Sequence, residues 1–142
     1  MTDYSETVHA TCVSLAGQGV LIIGPSGSGK SGLALQLIAL GAMLVADDRT
    51  ILSVEEGQLI ASPPAAIKGL IEARGVGILP VRHVAKVPLV LCVDMSRKEA
   101  ERLPLRHSIT MLDISLPSLH KVEAPYFPAA IHAYLTGQAQ EA

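Results

Sequence analysis

Gly24-Pro25-Ser26-Gly27-Ser28-Gly29-Lys30-Ser31 fits the phosphate-loop pattern G-x-x-x-x-G-K-[ST] at every fixed position. Each residue type has a physical role there. Glycine lets the backbone turn its N–H groups inward with no Cβ in the way. Lys30 brings a point charge to the β- and γ-phosphates, and the Ser31 hydroxyl is a ligand for Mg²⁺. A helix that starts here aims the positive end of its dipole at the phosphates. A short apolar run, 20–23, precedes the loop, and an apolar-periodic run follows it. This context points to nucleotide binding.

Phosphoryl transfer also needs carboxylates, to balance a metal and to handle the acceptor's proton. Two apolar runs end in aspartate: Met43-Leu44-Val45-Ala46-Asp47-Asp48 and Leu89-Val90-Leu91-Cys92-Val93-Asp94. Either could place an acid at the carboxyl edge of a sheet, where ligands sit in open α/β folds. Asp94 reads either as a metal-binding strand end or as the cap of a turn into a following helix. The adjacent Asp47 and Asp48 repel one another, which favours function over a simple turn. Glu72 and Arg74 lie among apolar residues and share one face of an extended segment. They read as a functional pair, as an internal ion pair, since buried charge is costly unless matched, or as a surface loop crossing.

The elements that must position these groups follow from periodicity and turn chemistry. Strands are expected over 8–15, 20–23, 43–46, 78–81, 87–93 and 108–112. Ala16-Gly17-Gln18-Gly19 turns the first of these into the second. A hairpin pairs 50–54 with 58–61 around Glu55-Glu56-Gly57, and Ser62-Pro63-Pro64 breaks the pattern. Residues 67–71 read as a helical turn or a loop. Pro88 requires a strand start or an edge. Leu33, Leu37 and Leu40 share one face of a helix over 30–40, which Gly41 stops. A short helix is expected over 97–102, a closing helix over 125–135, and fraying over 136–142. The class is α/β with a mixed, strand-rich sheet.

Composition narrows the function. The 142 residues carry no repeat, linker or low-complexity tract, so one domain over 1–142 is expected. Eleven Lys and Arg against thirteen Asp and Glu leave a formal charge of −2, without the basic excess of a nucleic-acid binder. Aromatics are 3% of the chain, too few to stack on single-stranded bases. No apolar run approaches the roughly 20 residues of a membrane span. The acidic start Met1-Thr2-Asp3-Tyr4-Ser5-Glu6 is no export signal, so a cytoplasmic protein is expected. Cys12 and Cys92, each in an apolar segment, read as buried thiols.

Taken in order, these pieces resemble the catalytic domain of the HPr kinase/phosphorylase family, which phosphorylates a serine of the carrier protein HPr. The resemblance rests on Val8-His9-Ala10, the phosphate loop, Leu44-Val45-Ala46-Asp47-Asp48-Arg49, and Ile71-Glu72-Ala73-Arg74-Gly75-Val76-Gly77-Ile78. It spans roughly half of the chain, and its last two segments are the specific ones. It implies a P-loop kinase domain in which Lys30 and the loop bind ATP, and Ser31 and Glu72 hold Mg²⁺. Asp48 would take the serine proton, or donate one when phosphate attacks phosphoserine. His9 would be an active-site histidine, and Arg102 would match a catalytic arginine. HPr or an HPr-like carrier is the implied partner, with no nucleic acid or membrane, in a homo-oligomer (a hexamer by resemblance).

The chain departs from the family pattern in three places. No accessory domain is expected before residue 8, no P-x-x-P-G-R-N segment occurs where 117–128 lies, and short closing helices are expected. Pro104 also replaces the glycine that follows the arginine in the family. A truncated kinase with weak or absent phosphorylase activity is the expectation. A small-molecule P-loop kinase and a non-catalytic nucleotide sensor stand as competing readings.

Overall fold

The computed structural model describes residues 5–137. Its strands are β1 (Ser5–Val8), β2 (Ala10–Leu15), β3 (Gln18–Ile23), β4 (Met43–Ala46), β5 (Thr50–Glu55) and β6 (Gln58–Ser62). They continue with β7 (Leu70–Ala73), β8 (Gly77–Pro80), β9 (Val87–Lys98), β10 (His107–Met111) and β11 (Ile114–Lys121). Two helices, α1 (Lys30–Ala39) and α2 (Phe127–Thr136), complete the set with a 3₁₀ turn at Ala65–Ile67. No helix is long and apolar enough to cross a membrane.

The main sheet runs β1-β5-β6-β9-β3-β2-β4, and the β10–β11 hairpin joins it through β9. β9 lies parallel to both β3 and β11, while the pairs within the hairpins are antiparallel. The sheet is therefore mixed, as the composition of the runs predicts.

β2, β3 and β9 are apolar at successive positions because both of their faces are covered. Val20, Ile22 and Val93 point to α1 and α2 and pack with Leu33, Leu37 and Ile131. Leu21 and Cys92 point the other way, against Leu52, Leu59 and Leu116 of the β layer. Truncating Leu37, 1% exposed at this junction, to alanine carries a cost of about 2–5 kcal/mol. Cys12 and Cys92 are free and buried. Burial, then the Asp94 charge, pushes the Cys92 thiol up to about 12, and burial raises Cys12 further.

Several expectations are corrected. The run 8–15 is two strands, broken by a bend at His9. No helix covers 97–102: β9 continues to Lys98 against β11, and 99–106 is irregular and mostly exposed. The Glu99 carboxylate accepts the Ala100 and Glu101 amides, which diverts them from a helix. Residues 70–71 open a strand. β11 was not foreseen, because Pro117 speaks against a strand; it sits one residue before the pairing with β9 begins. Pro88 falls at the start of β9, as required. Of the expected frayed end, Thr136 closes α2, and 138–142 lie outside the described residues.

Candidate active site

The phosphate loop joins β3 to α1 where β3 lies beside β9. Gly29 caps α1 with a left-handed φ of +98°, and no side chain caps the helix. The amides of Lys30, Ser31 and Gly32 thus begin the helix without intrahelical partners, and no acid competes in the first turn. Gly24 is required for space: a Cβ there would lie 2.6 Å from Ser28 Oγ. Lys30 is 6% exposed and donates to the Gly24 and Pro25 carbonyls at 2.9 and 3.1 Å.

β4 delivers the two aspartates to opposite environments. Asp47 turns inward, 8% exposed, and its carboxylate accepts three hydrogen bonds. Ser31 Oγ donates to Oδ1 at 2.6 Å, Thr11 Oγ1 to the same oxygen at 3.2 Å, and the Glu72 amide to Oδ2 at 2.9 Å. One carboxylate thereby ties α1, β2 and β7 together. Asp48 turns outward. The Arg49 amide bonds back to the Asp47 carbonyl at 2.8 Å, closing a three-residue turn with Asp48 at its centre and a φ of +70°. That conformation is rare and strained for a residue other than glycine. It is secured by the Asp48 amide, which donates to Thr11 Oγ1 at 3.1 Å. His9, at the bend between β1 and β2, places Nε2 2.6 Å from Asp48 Oδ1, with both side chains about half exposed.

A cleft of about 620 Å³ opens between these elements. Lys30, Ser31, Asp47, Asp48, Glu72 and Arg74 all line it. Glu72 and Arg74 share one side, as the extended pattern predicts, but both are exposed and no ion pair between them occurs among the described residues. The internal ion-pair reading is therefore set aside. Both charges face the cleft from the β7–β8 hairpin.

Asp94 does not cap a helix. It accepts from the Ser96 amide and hydroxyl at 2.9 and 2.5 Å, and Arg97 Nε lies 3.6 Å away. Between Asp94 and Lys98 the pairing with β11 slips, so Asp94 holds a bulge that sets Met95 beneath the loop at Gly24. Arg102 lies exposed in 99–106 and does not line the cleft.

Two contributors were missed from the sequence. Thr11, fully buried, bridges the two aspartates, and the only signal for it in the sequence is a hydroxyl residue inside an apolar run. Lys121, at the end of β11, donates to the Ser28 carbonyl at 3.3 Å, and nothing in the local sequence announces it.

The residues present suit a nucleotide and a hard cation. Ser28 Oγ is buried within the loop against Gly24, with no hydrogen-bond partner among the described residues, and it does not line the cleft. The cleft volume lies in the ordinary range for small-molecule sites. Ser31, Asp47 and Glu72 offer oxygen donors on its wall, the ligand type that Mg²⁺ takes.

Comparison with known proteins agrees with this geometry. The HPr Serine kinase C-terminal domain matches residues 2–120. The HPr kinase/phosphorylase of Caldicellulosiruptor bescii is 40% identical over 126 residues, covering 80% of this chain and 40% of that protein. That of Bordetella pertussis is 42% identical over 125 residues, with the same shares. The chain thus spans about 40% of the length of these curated relatives. The structure of the Hpr(Ser) kinase/phosphatase from Coxiella burnetii matches with a TM-score of 0.80 at 29% identity, covering 94% of this chain and 90% of that one. A phosphate loop, an Ala-Asp-Asp-Arg strand end and a Glu-x-Arg-Gly-x-Gly hairpin meeting in one cleft, on a matching fold, place the chain in the HPr serine kinase C-terminal domain family.

Proposed function

We propose that this chain is an ATP-dependent protein-serine kinase acting on HPr or an HPr-like phosphocarrier in the cytoplasm. The observation that carries the reading is Asp48. It is an accessible carboxylate at the lip of the phosphate-loop cleft, held by a strained turn and by His9.

The loop amides and Lys30 bind the phosphates, with Lys30 exchanging its carbonyl partners for phosphate oxygens. Ser31 and Glu72 would hold Mg²⁺, and Asp47 accepts from the Ser31 hydroxyl and orients it from behind. When bound, Mg²⁺ neutralises charge on the transferring phosphates. Asp48 accepts the proton of the acceptor serine as its Oγ forms a bond to the γ-phosphorus; the bond to the β-phosphate oxygen breaks and ADP leaves. His9 keeps the Asp48 carboxylate aimed into the cleft. Arg102 stays a candidate only if the 99–106 segment approaches bound substrate. In the reverse direction we infer weak or absent phosphorolysis, because β11 and the segment leading to α2 stand where the family's P-x-x-P-G-R-N segment is expected.

The test is phosphotransfer with ATP and Mg²⁺ to HPr-type carriers from the same cell, read by mass spectrometry. One phosphate on a serine is expected, with little or no pyrophosphate released from phosphoserine carrier and inorganic phosphate. Transfer to small hydroxyl compounds alone would make the chain a small-molecule kinase. Tight nucleotide binding without transfer to any acceptor would make it a sensor.

A further inference from the structure

Outside the nucleotide cleft, one cluster of metal-ligating side chains has no part in the reading above. Glu99 follows β9, His107 opens β10, and His120 is the penultimate residue of β11. We propose that these three residues bind a divalent transition-metal ion of the zinc class.

The geometry is that of a ligand set. His107 Nε2 lies 2.8 Å and His120 Nδ1 4.0 Å from the same Glu99 oxygen, Oε1. One donor atom from each residue falls within 4.8 Å of the others. Two donors on a tetrahedral zinc stand about 3.4 Å apart, given bonds of about 2.0–2.1 Å, so the two measured distances bracket the requirement. The imidazoles are stacked, with centroids 3.7 Å apart and planes 8° from parallel, so one ring must rotate out of the stack for both nitrogens to face a single ion.

The supporting contacts point the same way. The second Glu99 oxygen, Oε2, accepts the Ala100 and Glu101 amides at 3.1 Å each, and the Glu99 amide donates to the Lys121 carbonyl at 2.8 Å. The carboxylate is therefore held in place with Oε1 turned toward the two imidazoles, as outer contacts orient a metal ligand. A His–Glu ion pair alone would account for His107. A metal gives a further role to the second imidazole, which stacks on His107 and sets its Nδ1 4.0 Å from the same oxygen. The Glu99, His107 and His120 side chains are 11%, 31% and 19% exposed, which leaves an entry path and a fourth position for water. Two imidazole nitrogens and one carboxylate oxygen select zinc-class ions over Mg²⁺ and Ca²⁺, which take oxygen ligands. The ion would tie the β10–β11 hairpin to the tip of β9. It would also steady Lys121, the next residue, against the phosphate loop.

The test is calorimetric titration of the untagged chain with Zn²⁺ in excess Mg²⁺. One saturable equivalent per chain is expected. His107→Gln, His120→Gln and Glu99→Gln should each weaken it by about 100-fold or more, since disturbing outer contacts alone costs 10–100-fold. His83→Gln and His132→Gln should leave it unchanged. X-ray absorption on the zinc-loaded wild type gives a readout that needs no variant. Two imidazole nitrogens at about 2.0 Å support the site, and their absence overturns it. Failure to saturate, or full binding retained in a folded His107→Gln/His120→Gln double variant, also overturns it. None of these outcomes depends on phosphotransfer.

Discussion

The inner wall of the cleft and its rim are built from adjacent residues under opposite rules. On the wall, Asp47 is buried and accepts three hydrogen bonds from three different elements. On the rim, Asp48 is exposed and strained at φ +70°, and among the described residues its carboxylate bonds to His9. The wall residue serves the structure and the orientation of Ser31. The rim residue keeps unused acceptor capacity, which the proposed mechanism assigns to the proton of the acceptor serine. Neighbouring carboxylates thus divide architecture from chemistry, and Thr11 enforces the division by donating to one and accepting from the other's amide.

The sharpest way to break this contrast is Asp48→Asn. Phosphotransfer should fall by about 10²–10⁴-fold, the usual loss for a general base, with the unfolding midpoint nearly unchanged. A loss of stability with the rate intact would exchange the two roles. Asp47→Ala should do the reverse in kind. It orphans two hydroxyls and an amide, each costing about 1–3 kcal/mol if left unsatisfied, and partial rehydration should hold the total to about 2–4 kcal/mol in urea unfolding.

His9→Gln comes next. Losing one half-exposed contact to a carboxylate should slow transfer by about tenfold, or 1.4 kcal/mol, with nucleotide affinity unchanged in equilibrium titration. The smallest effect concerns the thiols behind the wall, where Cys12 pairs with Ala46 beside Asp47. Both thiols should resist alkylation in the native protein, and Asp47→Ala should speed labelling of Cys12, as mass spectrometry would reveal. Their raised pKa values make a linkage statement of definite sign. The folded state holds its thiol protons where the unfolded state, with an ordinary value of 9.0, releases them. Their contribution is complete below pH 9 and falls away as pH rises toward the folded values, so midpoints should drop with alkali above pH 9.

Much of the cleft was legible because its chemistry is local. The phosphate loop needs eight consecutive residues, and flanking periodicity announces the strand and helix around it. Glu72 and Arg74 were legible as sharing one side, but their exposure was not, because it depends on what packs over the β7–β8 hairpin. The helix expected over 97–102 failed for a related reason: Lys98 found a partner in Lys121 of β11, and Glu99 took the next two amides. β11 was hidden by Pro117, which is tolerated because the strand has not yet met β9 at that point.

By itself, then, the sequence determined the loop, the run of apolar strands and the presence of two acids at the end of β4. These follow from spacing, side-chain period and backbone freedom, which are properties of neighbouring residues. Tertiary structure decided which acid turns inward, through the pairing of β2 with β4 and the turn at Asp48. It also gathered Glu99, His107 and His120, 8 and 13 positions apart in turn, by laying β11 parallel to β9. Burial and long-range strand register arise only when distant segments meet, so no local pattern carries them.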